Sequence, residues 1–187
     1  LVFDREPSRW LRSEQKIIVG DLLDDVKLSE SINGCDVVYN FAALADLDEA
    51  QRKPLETVQM NVLGNVLVME ACRKAKVQRY IYASTVYVYS REGGFYRCSK
   101  QSAEHYVEQY QHSYGLDYTI LRYGSLYGPR ANEFNFISKI LIQALKNKKI
   151  VRRGDGKEIR EYIHVKDAAL LSADAINDKF KNKHLII

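Results

Sequence analysis

Tyr80-Ile81-Tyr82-Ala83-Ser84-Thr85 runs into Val86-Tyr87-Val88-Tyr89 and, past a short Ser90–Phe95 connection, into Tyr96-Arg97-Cys98-Ser99-Lys100. The first six residues have the length and apolar content of a buried strand whose polar end presents hydroxyls. Because α/β proteins place ligands at the carboxyl edge of the sheet, Ser84 and Thr85 are candidate site residues. Tyr96 and Lys100 stand four apart at the start of a predicted helix, which puts both side chains on one face. A phenol titrates near pH ~10, and a neighbouring ammonium favours the phenolate, bringing it toward general acid-base work near neutrality. Alone, such a pair says little in a chain with 13 Tyr, and a Thr at a strand end usually satisfies backbone. The hydroxyl strand and the pair together favour a catalytic site.

Outward from this stretch, apolar segments of strand length recur at Leu1–Phe3, Lys16–Val19, Asp36–Phe41 and Tyr118–Arg122. Leu55–Lys76 and Ser99–Tyr114 between them have helical length. The alternation predicts βαβ crossovers, hence an α/β fold with a parallel sheet and helices on both faces. Phe134, Ile137, Leu141, Ala144 and Leu145 mark one face of a further helix; Asp155-Gly156 predicts a turn, and Leu185-Ile186-Ile187 reads as another strand. There is no internal repeat, low-complexity tract or linker.

With 187 residues, 46% of them hydrophobic, the chain can bury a substantial core. Its formal charge of +4 is spread over Lys and Arg interleaved with Asp and Glu. One denser run, from Lys146 to Lys157 with Arg152 and Arg153 inside it, reads equally as a phosphate attractor or a solvated helix end. It lacks the extended basic face or motif of a nucleic-acid binder, so no such partner is expected. Asn61–Met69 and Ile137–Leu145 are too short and interrupted to cross a bilayer. Leu1-Val2-Phe3-Asp4 reads as a strand rather than a secretion leader. Cys35, Cys72 and Cys98 are odd in number and widely separated, which fits neither a zinc site nor a disulfide framework. The expectation is a cytoplasmic protein without metal.

Ser84-Thr85-Val86-Tyr87-Val88-Tyr89 with Tyr96-Arg97-Cys98-Ser99-Lys100 resembles the extended short-chain dehydrogenase/reductase family, whose members include nucleotide-sugar epimerases and dehydratases. Leu121-Arg122-Tyr123-Gly124-Ser125-Leu126-Tyr127-Gly128-Pro129-Arg130 resembles the family's LRxxNxYGPR segment. Arg160-Glu161-Tyr162-Ile163-His164-Val165-Lys166-Asp167 resembles RDYIHVxD. The resemblance implies a Rossmann-like, doubly wound parallel sheet, with residues 1–129 a partial NAD-binding domain and 130–187 part of a substrate-binding region interleaved with the last Rossmann elements. It assigns the catalytic hydroxyl to Thr85, with Ser84 the neighbouring alternative, the base to Tyr96 and the nicotinamide-ribose lysine to Lys100. Ser125, where the family has Asn, and Arg160 are implied in binding the nucleotide-sugar diphosphate, a guanidinium fork being suited to phosphate. A surface salt bridge with Glu158 or Glu161 is the plainer alternative for Arg160, and His164 reads as a packed histidine.

For the cofactor, Asp4 at the end of the first strand is placed like the acid that bonds the adenosine ribose of NAD, while Arg5 beside it suits a 2′-phosphate. Gly20-Asp21-Leu22 resembles the adenine-binding segment, and Asn40-Phe41-Ala42-Ala43 the small-residue turn where backbone approaches the dinucleotide. Asn61-Val62-Leu63-Gly64-Asn65 resembles NVxGT, which brings Asn61 near the cofactor. No GxxGxxG or GxGxxG occurs, so the first β-α unit is expected upstream of Leu1. The resemblance implies NAD, a nucleotide-diphosphate-sugar substrate, a homodimer through Asn61–Lys76 and Lys100–Tyr114, and 4-epimerisation through a transient keto-sugar. Val86 and Tyr87 occupy the places of the dehydratase acid pair, which puts dehydration second; decarboxylation or reduction would use the same triad. The reading of another class is a non-catalytic dinucleotide-binding or scaffold protein, for which the missing glycine-rich turn counts.

Overall fold

The computed structural model describes all residues except 133–134, 152–154, 156 and 158. Phe134 of the predicted helix face, Gly156 of the predicted turn, Arg152 and Arg153 of the basic run and Glu158 beside Arg160 therefore lie outside the described residues.

Strands β1 (Val2–Asp4) and β2 (Ile17–Val19) pair in parallel. Helix α1 (Asp25–Ile32) starts where the Asp24 carboxylate accepts the Lys27 N–H at 3.1 Å, an N-cap that satisfies one of the first turn's free donors. Next come β3 (Val37–Asn40), α2 (Leu47–Arg52), α3 (Pro54–Val58), a π turn (Gln59–Leu63) and α4 (Gly64–Ala75). Strand β4 (Arg79–Thr85) leads through a 3-10 turn (Val86–Tyr89) into α5 (Gly94–Tyr114) and β5 (Tyr118–Tyr123). The chain goes on through β6 (Ser125–Tyr127), α6 (Phe136–Asn147), β7 (Tyr162–His164), α7 (Val165–Asp174) and β8 (Lys183–Ile186).

β3, β4, β5 and β8 form one parallel sheet in the order β3-β4-β5-β8. Successive residues of a strand point to opposite faces, and β4 uses this fully. Tyr80 and Tyr82 enter a core with Val68, Met69 and Cys72 of α4, Ala103 and Val107 of α5, and Leu28 and Ile32 of α1. Ile81 faces the other way, against Leu121 and Ala175. Phe3 and Leu22 join the first core, so the β1-β2 pair shares it. The sheet is covered on both faces, as the sequence predicts.

The predicted strands are found with ends shifted by a residue or two, as the Leu185–Ile187 segment is in β8. Two differences bear on function. The predicted helix over Leu55–Lys76 is α3, a π turn and α4; the looser turn rotates Asn61 into the interior, where it is buried. The two family-like segments around Ser125 and Tyr162 pair as a second small parallel sheet, Ser125 opposite Tyr162 and Tyr127 opposite His164. Three-residue strands carry too little alternation to be read from sequence. The predicted apolar face of α6 exists, but Leu141 and Leu145 stay exposed.

Candidate active site

The carboxyl ends of β3, β4 and β5 open into a cavity of about 1490 Å³. Thr85 ends β4 there, and Tyr96 and Lys100 enter from the first turns of α5, a helix that starts at Gly94 because Gly93 takes the left-handed backbone (φ 92) that lets the chain turn in so few residues. Phe41, Ala43, Ser84, Ser125 and Arg160 line the same space. Eight of the residues singled out in the sequence thus converge, drawn from the loop after β3, from β4, α5 and β6, and from the segment before β7.

Five of them have defined partners. Thr85 is buried, and its Oγ1 accepts the Tyr87 N–H at 3.2 Å, capping the turn after β4. Ser84 Oγ donates to the Glu104 carboxylate at 2.5 Å. Lys100 Nζ donates to the Ala83 carbonyl at 2.7 Å and lies 4.7 Å from the centre of the Tyr82 ring and 5.8 Å from that of Tyr96. The Ser125 N–H donates to the Glu161 carbonyl at 2.9 Å. The Arg160 guanidinium sits 5.9 Å from the centre of the Phe136 ring.

The remaining residues lie elsewhere. Asp4 and Asp21 are exposed at the ends of β1 and β2 and accept the Glu6 and Leu23 N–H groups at 3.1 and 2.8 Å. Arg5 and Ala42 are exposed in the loops after β1 and β3. The Leu22 side chain is committed to the core. Asn61 does not line the cavity: its Nδ2 donates to the Leu44 carbonyl at 3.0 Å and to Ser99 Oγ at 2.9 Å, and its Oδ1 accepts the Leu44 N–H at 2.7 Å.

Electrostatics depart from the simple expectation of a phenol lowered by its lysine. Burial pushes Tyr96 up to about 12, with Tyr87 adding to the effect. Burial also brings Lys100 down to about 7, opposed by the Glu104 carboxylate. In this geometry desolvation outweighs the attraction between the two. Tyr39, Tyr123 and Ser172 also line the cavity, and Glu104 and Arg122 are tied to Ser84 behind it; sequence reasoning gave none of these five an individual place in the site. For Glu104 a signal existed, since it stands one helical turn beyond Lys100 on the same face.

The sequence profile of the NAD dependent epimerase/dehydratase family matches residues 1–187. Among curated proteins, dTDP-D-glucose 4,6-dehydratase of Dictyostelium discoideum is 29% identical over 175 residues, 81% of this chain and 40% of its own length. A putative UDP-glucose 4-epimerase of Methanocaldococcus jannaschii is 30% identical over 174 residues, 83% of this chain and 57% of its own. Among solved structures, MoeE5 in complex with UDP-glucose and NAD superimposes with a TM-score of 0.86 at 27% identity, over 99% of this chain and 66% of that one. This chain therefore spans about 40% and 57% of those two curated relatives.

Proposed function

The chain belongs to the NAD dependent epimerase/dehydratase family, and from that premise we propose that the intact protein epimerises a nucleotide-diphosphate sugar at C4 through a transient keto-sugar, with NAD as cofactor. The observation that carries this is the convergence of Thr85, Tyr96 and Lys100 on one cavity at the carboxyl edge of the sheet. Residues 1–129 make up a partial NAD-binding domain with the catalytic pair, and 130–187 part of a substrate-binding region interleaved with the last Rossmann elements.

The cavity fits one end of a dinucleotide. Phe41, 57% exposed, and Ala43 offer apolar surface in the cavity that Tyr96 and Lys100 also line, and Asp4, exposed at the end of β1, is the acid for a ribose. When bound, NAD would supply an acceptor for the sugar's hydride and, once reduced, the donor that returns it. Tyr96 takes the proton of the sugar hydroxyl, Thr85 holds the oxygen that becomes the carbonyl, and the charge on Lys100 favours the Tyr96 phenolate. Ser125 and Arg160, brought to the same cavity by the β6-β7 pairing, hold the diphosphate. Presentation of the opposite face of the keto-sugar then gives the inverted alcohol.

A dehydratase is the second reading, favoured by the Dictyostelium relative and opposed by Val86 and Tyr87, which carry no carboxyl group for the elimination. The test is incubation of the full-length gene product with NAD and UDP-, GDP-, CDP- and dTDP-sugars, with products identified by NMR. A 4-epimer is expected; a 4-keto-6-deoxy product moves the protein to the second reading. Absence of turnover, with Tyr96→Phe indistinguishable from the parent, overturns both and leaves a binding or scaffold protein. Pairing of α4 and α5 with their copies across a two-fold axis belongs to the same proposal, checked by sedimentation.

A further inference from the structure

Lys100 is 2% exposed, and a buried ammonium without a counter-charge gives up its proton. Its Nζ donates to the Ala83 carbonyl and lies over the Tyr82 ring from β4 and the Tyr96 ring from α5 itself, all neutral groups. The charged group that reaches it is Glu104, four residues on along α5 and 5% exposed.

Glu104 is held from two strands, with a third alongside. Ser84 on β4 donates to Oε1 at 2.5 Å, and Arg122 on β5 grips the carboxylate with two bonds, Nε to Oε1 at 3.0 Å and Nη2 to Oε2 at 2.6 Å. From β8, His184 Nδ1 lies 4.0 Å from Oε2, while its Nε2 faces Glu108 of α5 at 3.1 Å. Burial, with the Arg122 charge adding to it, holds the His184 imidazole below its usual range. Arg122 extends from this cluster to the Tyr89 hydroxyl and lies over the Tyr89 ring at 4.7 Å, and Tyr89 lines the cavity. The carboxylate is thus fixed in direction and distance whenever α5 is docked on the sheet, which a surface carboxylate one turn from a lysine is not.

We propose that Glu104 is the positioning counter-charge of Lys100, held by Ser84 and Arg122 one turn behind the Tyr96/Lys100 pair, with Arg122 setting how much of its charge Lys100 receives. Glu104 favours the protonated form of the buried Lys100, and a protonated Lys100 favours the Tyr96 phenolate. The two members of the ion pair therefore act on Lys100 with opposite signs. A mere bolt between helix and sheet has no such sign.

The test follows the Lys100 Nζ signal by NMR in full-length protein labelled with 15N-lysine, assigned through Lys100→Arg and titrated with pH. The parent midpoint is expected at about 7. Glu104→Gln moves it down by about one pH unit or more, a tenfold loss of protonated Lys100 for each, and Arg122→Gln moves it up. Where a single change leaves an unpaired buried charge and the protein does not fold, the double variant Glu104→Gln/Arg122→Gln keeps a neutral hydrogen-bonded pair. Its midpoint is expected below the parent's, because Glu104 acts more strongly on Lys100 than Arg122 does. Single variants that shift together, or a double variant at the parent midpoint, overturn the proposal. The inference gains its catalytic meaning from the role given to Lys100 above; the titration needs neither substrate nor turnover, so its failure and the failure of that role are separable.

Discussion

At the scale of single residues, Asn61 and Lys100 show what a sequence reveals about a site. The motif places Asn61 beside a dinucleotide, yet its whole amide is spent on Leu44 and on Ser99, whose hydroxyl in turn donates to the Tyr96 carbonyl at 2.7 Å. A buried group left without its partner costs about 1–3 kcal/mol. Asn61→Leu strands both the N–H and the carbonyl of Leu44, and is expected to lose about 2–4 kcal/mol in urea unfolding. Full stability with a selective loss of NAD affinity would return Asn61 to the ligand. For Lys100, burial lowers the folded value to about 7 from 10.5. Between those pH values the unfolded chain binds the proton and the folded one does not, so stability climbs with pH across the window and the penalty is complete below it. Lys100→Met removes that penalty, which grows by about 1.4 kcal/mol for every pH unit separating the folded and unfolded values. The variant is therefore expected to melt higher than the parent at pH 6, with the gap closing toward pH 10.5. Tyr96, raised to about 12, has the opposite signature, stability lost from pH 10 upward, and keeps it in both proteins.

At the scale of elements, the β4–α5 unit was legible because its residues obey their periods. Tyr80 and Tyr82 face one core and Ile81 the other, and Tyr96, Lys100 and Glu104 follow at helical spacing. The π turn at Gln59–Leu63 was not legible, because one looser turn leaves the hydrophobic pattern of Leu55–Lys76 intact. Nor were β6 and β7, whose geometry comes from pairing with each other rather than from their own three residues. The short Ser90–Phe95 connection was seen, but its mechanics were not. Gly93 (φ 92) sits where an added Cβ would meet Arg97 Cβ at 3.1 Å and Tyr87 Cγ at 3.2 Å, whereas at Gly34 (φ 79) it would meet nothing within 4 Å. Both Gly→Ala changes carry the left-handed penalty of about 1–2 kcal/mol. Gly93→Ala adds crowding against the turn that carries Tyr87 and the start of the helix that carries Tyr96. Thermal unfolding should therefore rank Gly93→Ala clearly below Gly34→Ala; equal losses would mean that the connection gives way without disturbing its neighbours.

At the scale of the whole molecule, the face of the sheet opposite α4 and α5 is the thinner one, with Ile81, Leu121 and Ala175 as its fully buried apolar residues among those described. Polar bonds reinforce it. Tyr39 on β3 donates its hydroxyl to the Ser172 carbonyl at 3.0 Å, the Tyr123 hydroxyl on β5 meets Ser172 Oγ at 2.5 Å, and Ser172 Oγ donates to the Ala168 carbonyl at 2.5 Å. With Ser172 Oγ as donor to Ala168, the Tyr123 hydroxyl is the donor of the pair. These bonds seat α7 on the sheet, and Tyr39, Tyr123 and Ser172 are also a wall of the cavity. No local sequence pattern brings these three elements together, since the contact exists only once the sheet is assembled. Losing the two members of such a pair is unequal. Tyr123→Phe leaves Ser172 with its bond to Ala168 and should cost about 1 kcal/mol, whereas Ser172→Ala leaves the half-buried Tyr123 hydroxyl without its acceptor and should cost about 1–3 kcal/mol. Once the acceptor is gone, removing the hydroxyl as well relieves its desolvation, so the double variant should lose less than the two single losses added together. A coupling of about 1 kcal/mol in that cycle, read by urea unfolding, supports polar seating of α7; strict additivity would assign its docking to the apolar contacts alone.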